Sequence, residues 1–394
     1  MIDMYPDLNP YAPGSGLRPP ELAGRDAELD LFELLLARTR QRNHSRGIIL
    51  HGLRGVGKTV LLKRFAHQAE RAEWLTIEIE GSQLEGGGVS ARSRLARGLA
   101  TALRKLDRTA TVRGRIADAL GSVASFSLSL GITGVSVGVQ AAAGRASTGQ
   151  VDIDLEDVIE DLAPVLLDNS TALGVFIDEM QDLDPELLGA LLAVQHRAGQ
   201  NGWPFFVLGA GLPSLPAVLA ASRSYSERQF DYRMLGPIPD EQAAGAVRLP
   251  AERLGIGFQP EAIAAIVSAA EGYPYFLQVF AMKAWDAAVG TEITADDAAL
   301  GIADGRLDLD MGFYPARWDR ASPAERRYME VMSRYDGGEC STAEIAEALG
   351  STQRGLSTVR HSLISKGLIH STERGLVAFT VPGMSAFVQR QVGD

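Results

Sequence analysis

The chain has 394 residues, 46% hydrophobic and 22% charged, a composition that excludes wholesale disorder and a length that predicts two or three domains. Its formal net charge of -11 excludes a protein that coats nucleic acid non-specifically, because phosphate contacts need a local excess of Lys and Arg, and leaves room only for a confined basic patch. The single cysteine, Cys340, excludes an intrachain disulfide framework and a cysteine zinc site, and the acidic, Pro-broken start lacks the marks of a signal peptide, so a reducing, cytoplasmic setting is expected.

Residues 1–20 carry Pro6, Pro10, Pro13, Pro19 and Pro20, which bar a helix or central strand and predict an extended arm ordered only by docking. Regular structure is expected from Glu21, with Asp26 capping a helix whose apolar face holds Leu29, Phe32 and Leu36. Through residues 21–236 the pattern then alternates: strands at 48–50, 74–79, 173–177, 205–208 and 230–235 are spaced by helices at 58–71, 92–106, 155–167 and 185–198. Such spacing gives an α/β fold, a parallel sheet covered on both faces. After Pro237 and Pro239 the strands stop, and residues 237–303 read as a helical lid subdomain broken at Gly272-Tyr273-Pro274. A polar linker, 304–319, leads to a last module over 320–394.

Gly52-Leu53-Arg54-Gly55-Val56-Gly57-Lys58-Thr59 fits G-x-x-x-x-G-K-[ST] and lies between a strand and a helix, the context this motif requires. Glycines let backbone N–H groups converge on a phosphate, and the helix that opens at Lys58, Thr59 and Val60 points its positive end at the anion. Lys58 is the candidate for neutralising β- and γ-phosphate oxygens, and the Thr59 hydroxyl for ligating Mg²⁺. The strand 173–177 delivers Asp178 and Glu179 at its C-terminal end, where parallel sheets bind ligands. Asp178 would hold Mg²⁺ there and Glu179 would polarise an attacking water. Taken alone the pair also reads as helix-capping acids, and the phosphate loop weighs against that reading.

The phosphate loop, the strand ending in Asp178-Glu179 and the lid with Gly272-Tyr273-Pro274 resemble the AAA+ and STAND P-loop ATPases, especially the branch related to archaeal origin-recognition initiators, over roughly residues 21–303. The resemblance implies ATP or ADP with Mg²⁺ as ligands, ATP hydrolysis, and nucleotide-dependent assembly into a homo-oligomer. It places Arg25, in Ala23-Gly24-Arg25-Asp26, near the adenine, with a solvated helix-start charge as the alternative. It also brings Tyr273 and Pro274 to the nucleotide, although Pro274 reads equally as a helix start. Two departures stand out. The polar sensor expected after the fourth strand is replaced by Gly209-Ala210-Gly211, and Tyr275 stands where many AAA+ proteins keep an arginine. An arginine finger is expected just before the last strand, with Arg228 favoured over Arg223 and Arg233; pairing with Glu227 or Asp231 on the surface is the alternative.

Two segments lie outside that core. In the uncharged stretch 121–144, Phe126, Leu128, Leu130 and Ile132 alternate with Ser and Gly, and Val135, Val137 and Val139 resume after Thr133-Gly134. This predicts a β-hairpin insert in place of a membrane span, with an apolar face covered by the chain's own body, by a protein partner or second subunit, or by a membrane surface. At the C-terminus, helices at 323–334, 342–349 and 352–366 followed by a hairpin of 367–371 and 376–380 resemble a winged helix-turn-helix. The third helix carries Arg354, Arg360 and Lys366 and no acid, so these are the candidates for meeting duplex DNA across 351–374. Glu325, Glu330, Glu339, Glu344 and Glu347 keep a protein-binding role open.

Together these readings give an ATP-dependent switch with slow, partner-stimulated hydrolysis that engages DNA through its last module. The runner-up is a STAND-type signalling ATPase whose last module binds protein or holds an inactive state. A metabolic kinase ranks third.

Overall fold

The computed structural model describes the chain except residues 1–5, 15, 18, 44, 83–86, 108–112, 131–144, 336–338 and 394. It divides into two compact units, Arg25–Gly52 with Lys58–Leu235, and Met1–Gly24 with Leu53–Gly57 and Gly236–Asp394.

The first unit runs α1 (Asp26–Arg40), β1 (Gly47–Gly52), α2 (Lys58–Arg71), β2 (Leu75–Glu80), α3 (Gly87–Asp107), α4 (Arg113–Ser129), α5 (Val151–Asp168), β3 (Leu173–Asp178), α6 (Pro185–Asn201), β4 (Phe205–Gly211), α7 (Leu215–Ser222), α8 (Ser226–Gln229) and β5 (Phe230–Leu235). The strands form one parallel sheet in the order β2-β3-β4-β1-β5. The three inner strands are apolar and buried nearly end to end, as strands covered on both faces must be, whereas the edge strand β2 alternates and exposes Glu78 and Glu80. Period-two geometry sends Val175 and Ile177 into the core shared with α3 to α6. The intervening Phe176 faces the other way, edge-on to Phe32 of α1, which stacks on Phe65 of α2 at 4.5 Å. Helices thus cover both faces, as expected.

Two local expectations fail here. Asp26 is the first residue of α1 and not its cap; the cap position belongs to Arg25, whose side chain accepts no capping hydrogen bond. The first strand of the expected hairpin is helix: α4 continues through Ser129 with Val123 and Phe126 fully buried. The alternating serines do not mark a polar face, because Ser125 and Ser127 donate to the carbonyls of Gly121 and Val123, four residues back, and can be buried within the helix. The second half of that expectation, Ile132 to Val139, lies outside the described residues.

In the second unit the N-terminal arm makes one 3₁₀ turn, Pro6–Leu8, and is then tied down: Tyr11 is buried, its hydroxyl donating to the Val247 carbonyl, and Asn9 donates to the Met282 carbonyl and Asp286. The lid comprises α9 (Asp240–Glu252), β6 (Gly257–Phe258), α10 (Pro260–Ala270), α11 (Pro274–Ala287), β7 (Glu292–Ile293) and α12 (Ala295–Asp308). The β6–β7 pair is short and parallel, so strands do not stop altogether after Pro239. At Gly301 of α12 an added Cβ would lie 2.3 Å from the Ala284 amide nitrogen, which is why α11 and α12 pack so closely. The stretch read as a linker is itself helical: α12 runs to Asp308, a π-turn covers Leu309–Phe313, and α13 (Pro315–Trp318) follows.

The last segment holds α14 (Pro323–Met332), β8 (Glu339–Ser341), α15 (Thr342–Ala348), α16 (Ser357–Ser365), β9 (Ile369–His370), β10 (Leu376–Phe379) and α17 (Met384–Gly393). The strands form an antiparallel sheet, β8-β10-β9. A capping box between Ser322 and Glu325 starts α14, and Ser341 caps α15. α16 begins at Ser357 and not at Thr352, so Arg354 sits in the turn ahead of the helix. Among the described residues, no helix is long and apolar enough to cross a membrane.

Candidate functional site

Because the order is β3-β4-β1, the ends of β1 and β3 flank the end of β4, and the chemistry gathers at that edge. β1 ends at Gly52, and α2 opens at Lys58 after Gly57, whose φ of 95° suits glycine. Lys58 is buried and its Nζ donates to the Gly52 carbonyl at 3.0 Å, which ties the start of α2 to the end of β1. At the end of β3, Asp178 accepts hydrogen bonds from the Thr59 hydroxyl and from the Glu179 amide, the latter at 3.0 Å. Burial pushes the Asp178 carboxyl above the usual carboxylate range; the bonds from Thr59 and Glu179 and the charge of Lys58 oppose the shift without cancelling it. A half-desolvated carboxylate touching a threonine hydroxyl fits a divalent cation held by oxygen ligands.

Glu179 adopts the left-handed conformation, with φ 44° and ψ 46°, which turns the chain sharply at the end of β3. One of its carboxylate oxygens accepts from Gln181 Nε2 at 2.8 Å. Gln181 also donates to Asp182 at 3.1 Å, and its Oε1 accepts from the Leu212 amide at 3.0 Å. This residue escaped the sequence reading, although the glycines of β4 signal it: a Cβ at Gly211 would lie 2.2 Å from Gln181 Oε1, and one at Gly209 would lie 2.4 Å from Met180 Sδ.

In the second unit, the loop residues Leu53–Gly57 meet the start of α11. Tyr273 is buried and its hydroxyl donates to the Arg54 carbonyl at 2.6 Å. A Cβ at Gly55, where φ is 84°, would strike that hydroxyl at 1.8 Å, so glycine is required twice over. Burial pushes the Tyr273 phenol up to about 12 despite Arg317 and Arg54 nearby, so it is a hydrogen-bond donor at all ordinary pH. The Arg317 guanidinium sits 3.6 Å above the Phe313 ring beside Tyr273; nothing in the sequence marked it. Pro274 is the first residue of α11, and Tyr275 stacks on Phe313 at 5.2 Å.

The structure thus brings Lys58, Thr59, Asp178 and Glu179 to one sheet edge, and Arg54, Gly55 and Tyr273 to one contact. Val56 is buried and Val60 half-buried; Leu53 is half-buried too. Arg25 is buried, which removes the solvated-charge alternative. Among the finger candidates, Arg223 pairs with Asp152 at 3.5 Å, and Asp231 pairs with Arg46 at 3.7 Å. Arg228 is exposed on α8 and forms no ion pair among the described residues. In the last segment, Arg354 is exposed and Arg360 half-buried. Lys366 is withdrawn from the basic face: its ammonium donates to Glu325 at 2.7 Å and to the Arg320 carbonyl at 3.0 Å. Burial works to raise the Glu325 carboxyl, but hydrogen bonds from Lys366, Ser362 and Ser322 outweigh it and hold it down at about 2. Lys366 is therefore a structural anchor.

A parallel sheet in this order, with a glycine-rich loop on its first strand and adjoining carboxylates on its third, defines a P-loop nucleoside triphosphatase fold. Residues 21–208 match the AAA ATPase domain family. Residues 311–388 match a domain family of unknown function (DUF8462). Among solved structures, a Walker-type ATPase of Pyrococcus abyssi shares the fold with a TM-score of 0.59 at 14% identity, covering 94% of this chain and 97% of that one. The RuvB Holliday junction branch migration motor of Thermotoga maritima gives 0.46 at 16% identity over 92% and 96%. The Orc1 protein of Aeropyrum pernix, solved in complex with DNA, gives 0.43 at 17% over 94% and 94%. No match is found among curated proteins.

Proposed function

We propose that the chain is an ATP-dependent molecular switch that binds Mg-ATP and hydrolyses it slowly. The observation that carries this reading is the meeting of the Thr59 hydroxyl and Asp178 beside buried Lys58 at the sheet edge. Bound Mg-ATP supplies a phosphoanhydride bond and a cation that withdraws charge from it. Lys58 would neutralise phosphate oxygens, Thr59 and Asp178 would hold the cation, and Glu179 would orient a water and take its proton as the water oxygen bonds to the terminal phosphorus and the bond to the ADP oxygen breaks. Arg228, exposed and free of ion pairs among the described residues, suits a finger offered to a second copy of the chain. Sedimentation with a non-hydrolysable ATP analogue tests this: a chain that stays monomeric with and without it rejects assembly.

The segment from α14 to β10 has the element order of a winged helix, and we read Arg354 and Arg360 as its contacts to duplex DNA. Hydrolysis measured with and without duplex DNA, with binding titrated against salt, is the deciding experiment. Strong stimulation and a steep salt dependence support this reading, and Arg354→Ala then weakens binding by about 1 to 3 kcal/mol. The engagement of Lys366 by Glu325 favours a second reading, in which the segment binds protein as part of a signalling ATPase. Indifference of the rate to DNA selects it.

A further inference from the structure

β4 ends in Gly209-Ala210-Gly211 and so offers no polar side chain at its C-terminal end. Those glycines leave room for the 3₁₀ turn Met180–Asp182, which presses Met180 and Gln181 against the end of β4. The side-chain amide of Gln181 then reaches both ways, its oxygen to the Leu212 amide at 3.0 Å and its nitrogen to Glu179 at 2.8 Å. The Leu212 N–H, a donor only, fixes the orientation of the amide, so the nitrogen necessarily faces the carboxylates.

We infer that Gln181 is the positioning residue for Glu179, a substitute supplied by the third strand's own turn for the polar group absent from the fourth. Three features support this. Glu179 sits in a left-handed backbone conformation, and its carboxylate needs a fixed partner to hold one direction. The bond from Gln181 occupies one carboxylate oxygen and leaves the other for water. Anchorage on Leu212 ties that direction to the strand between the phosphate loop and Asp178, so the base keeps its register with the phosphate end of the site. The role rests on the proposed ATP hydrolysis.

Two substitutions separate position from folding. Gln181→Ala removes all three side-chain bonds, to Glu179, to Asp182 and from the Leu212 amide. Gln181→Glu keeps an oxygen for the Leu212 amide but cannot donate to Glu179, and it sets a like charge beside it. Both should lower kcat about 10- to 100-fold while leaving the affinity for a fluorescent ADP analogue within about twofold. Amide hydrogen exchange of the nucleotide-free chain provides a readout apart from activity: exchange at Leu212 should quicken in Gln181→Ala and stay slow in Gln181→Glu. In a Glu179→Gln background, Gln181→Ala should cost nothing more, because the group it positions is gone. A kcat within about twofold of wild type in both variants overturns the inference, as does a loss of nucleotide affinity that matches the loss in kcat. If wild type hydrolyses no faster than Lys58→Ala, the ATPase reading falls and this inference with it. Hydrolysis that depends on Lys58 but ignores Gln181 rejects the inference alone.

Discussion

The sheet edge and the basic stretch of the C-terminal segment both carry charged residues at set spacings in the sequence, and they fare differently in three dimensions. At the sheet edge, parallel strands carry residues more than a hundred positions apart to neighbouring ends, and Thr59 meets Asp178 because the order β3-β4-β1 leaves only one strand between them. In the C-terminal segment the residues lie within a dozen positions of each other, yet Arg354 stays in a turn and Lys366 is spent on Glu325. A motif whose spacing encodes a backbone shape survives folding. A motif that only counts charges on an assumed helix depends on where the helix starts and on what the rest of the chain offers those charges.

The largest expected effects belong to the sheet edge, and they would break the comparison if absent. Glu179→Gln should lower kcat by about 10² to 10⁴ while nucleotide binding persists, since a general base acts only in the chemical step. Lys58→Ala should cost about 10² to 10³ in kcat/KM through lost charge stabilisation at the phosphates. Phosphate release and binding of a fluorescent nucleotide distinguish the two. Wild-type kinetics in both variants would mean that the convergence of these residues is structural only.

In the C-terminal segment the ion pair predicts a pH effect in place of a binding effect. The Glu325 carboxyl is held at about 2 against an ordinary 4.5, and its side chain is only 4% exposed. A depressed carboxyl stabilises the fold above its unfolded pKa, and that contribution is lost as pH falls from 4.5 towards 2. The shift corresponds to about 3 kcal/mol. Denaturant unfolding of the wild type should weaken over that window, and Glu325→Gln should flatten the dependence. Lys366→Met, which strands a buried carboxylate at neutral pH, should cost about 3 to 5 kcal/mol. A salt-sensitive loss of DNA binding with no loss of stability in Lys366→Met would instead return Lys366 to the binding face.

The five strands, and the gathering of Lys58, Thr59, Asp178 and Glu179 at one sheet edge, are legible in the sequence because local pattern and long-range topology agree there: apolar runs need two covered faces, and glycine-rich turns need positive φ. The stretch 121–129 was misread because serine can satisfy itself on a carbonyl four residues back, which erases the difference between a polar strand face and a buried helix. Gln181 was invisible because its meaning depends on contact with the end of β4, thirty-one positions away. The stretch 304–319 reads as a linker in sequence because Gly305, Gly312 and Pro315 interrupt it and apolar Leu307 and Met311 are exposed, so no continuous buried face marks its helices.

Tyr273 gives the finest test of whether the lid contact belongs to the site or only to the lid core. Its ring packs against Phe276 at 4.7 Å and its hydroxyl alone reaches the Arg54 carbonyl. Tyr273→Phe keeps the ring and removes the hydroxyl, with its bond to the Arg54 carbonyl and the one it accepts from Arg317, which should cost about 1 to 2 kcal/mol. Tyr273→Ala removes the ring as well and should cost about 3 to 5 kcal/mol in stability. If the hydroxyl holds the phosphate loop in its binding shape, the Phe variant loses about fivefold in ADP affinity, which is about 1 kcal/mol of that cost expressed in binding. A Phe variant with lower stability but unchanged affinity assigns the hydroxyl to the core of the lid, and the nucleotide site then rests on the sheet edge alone.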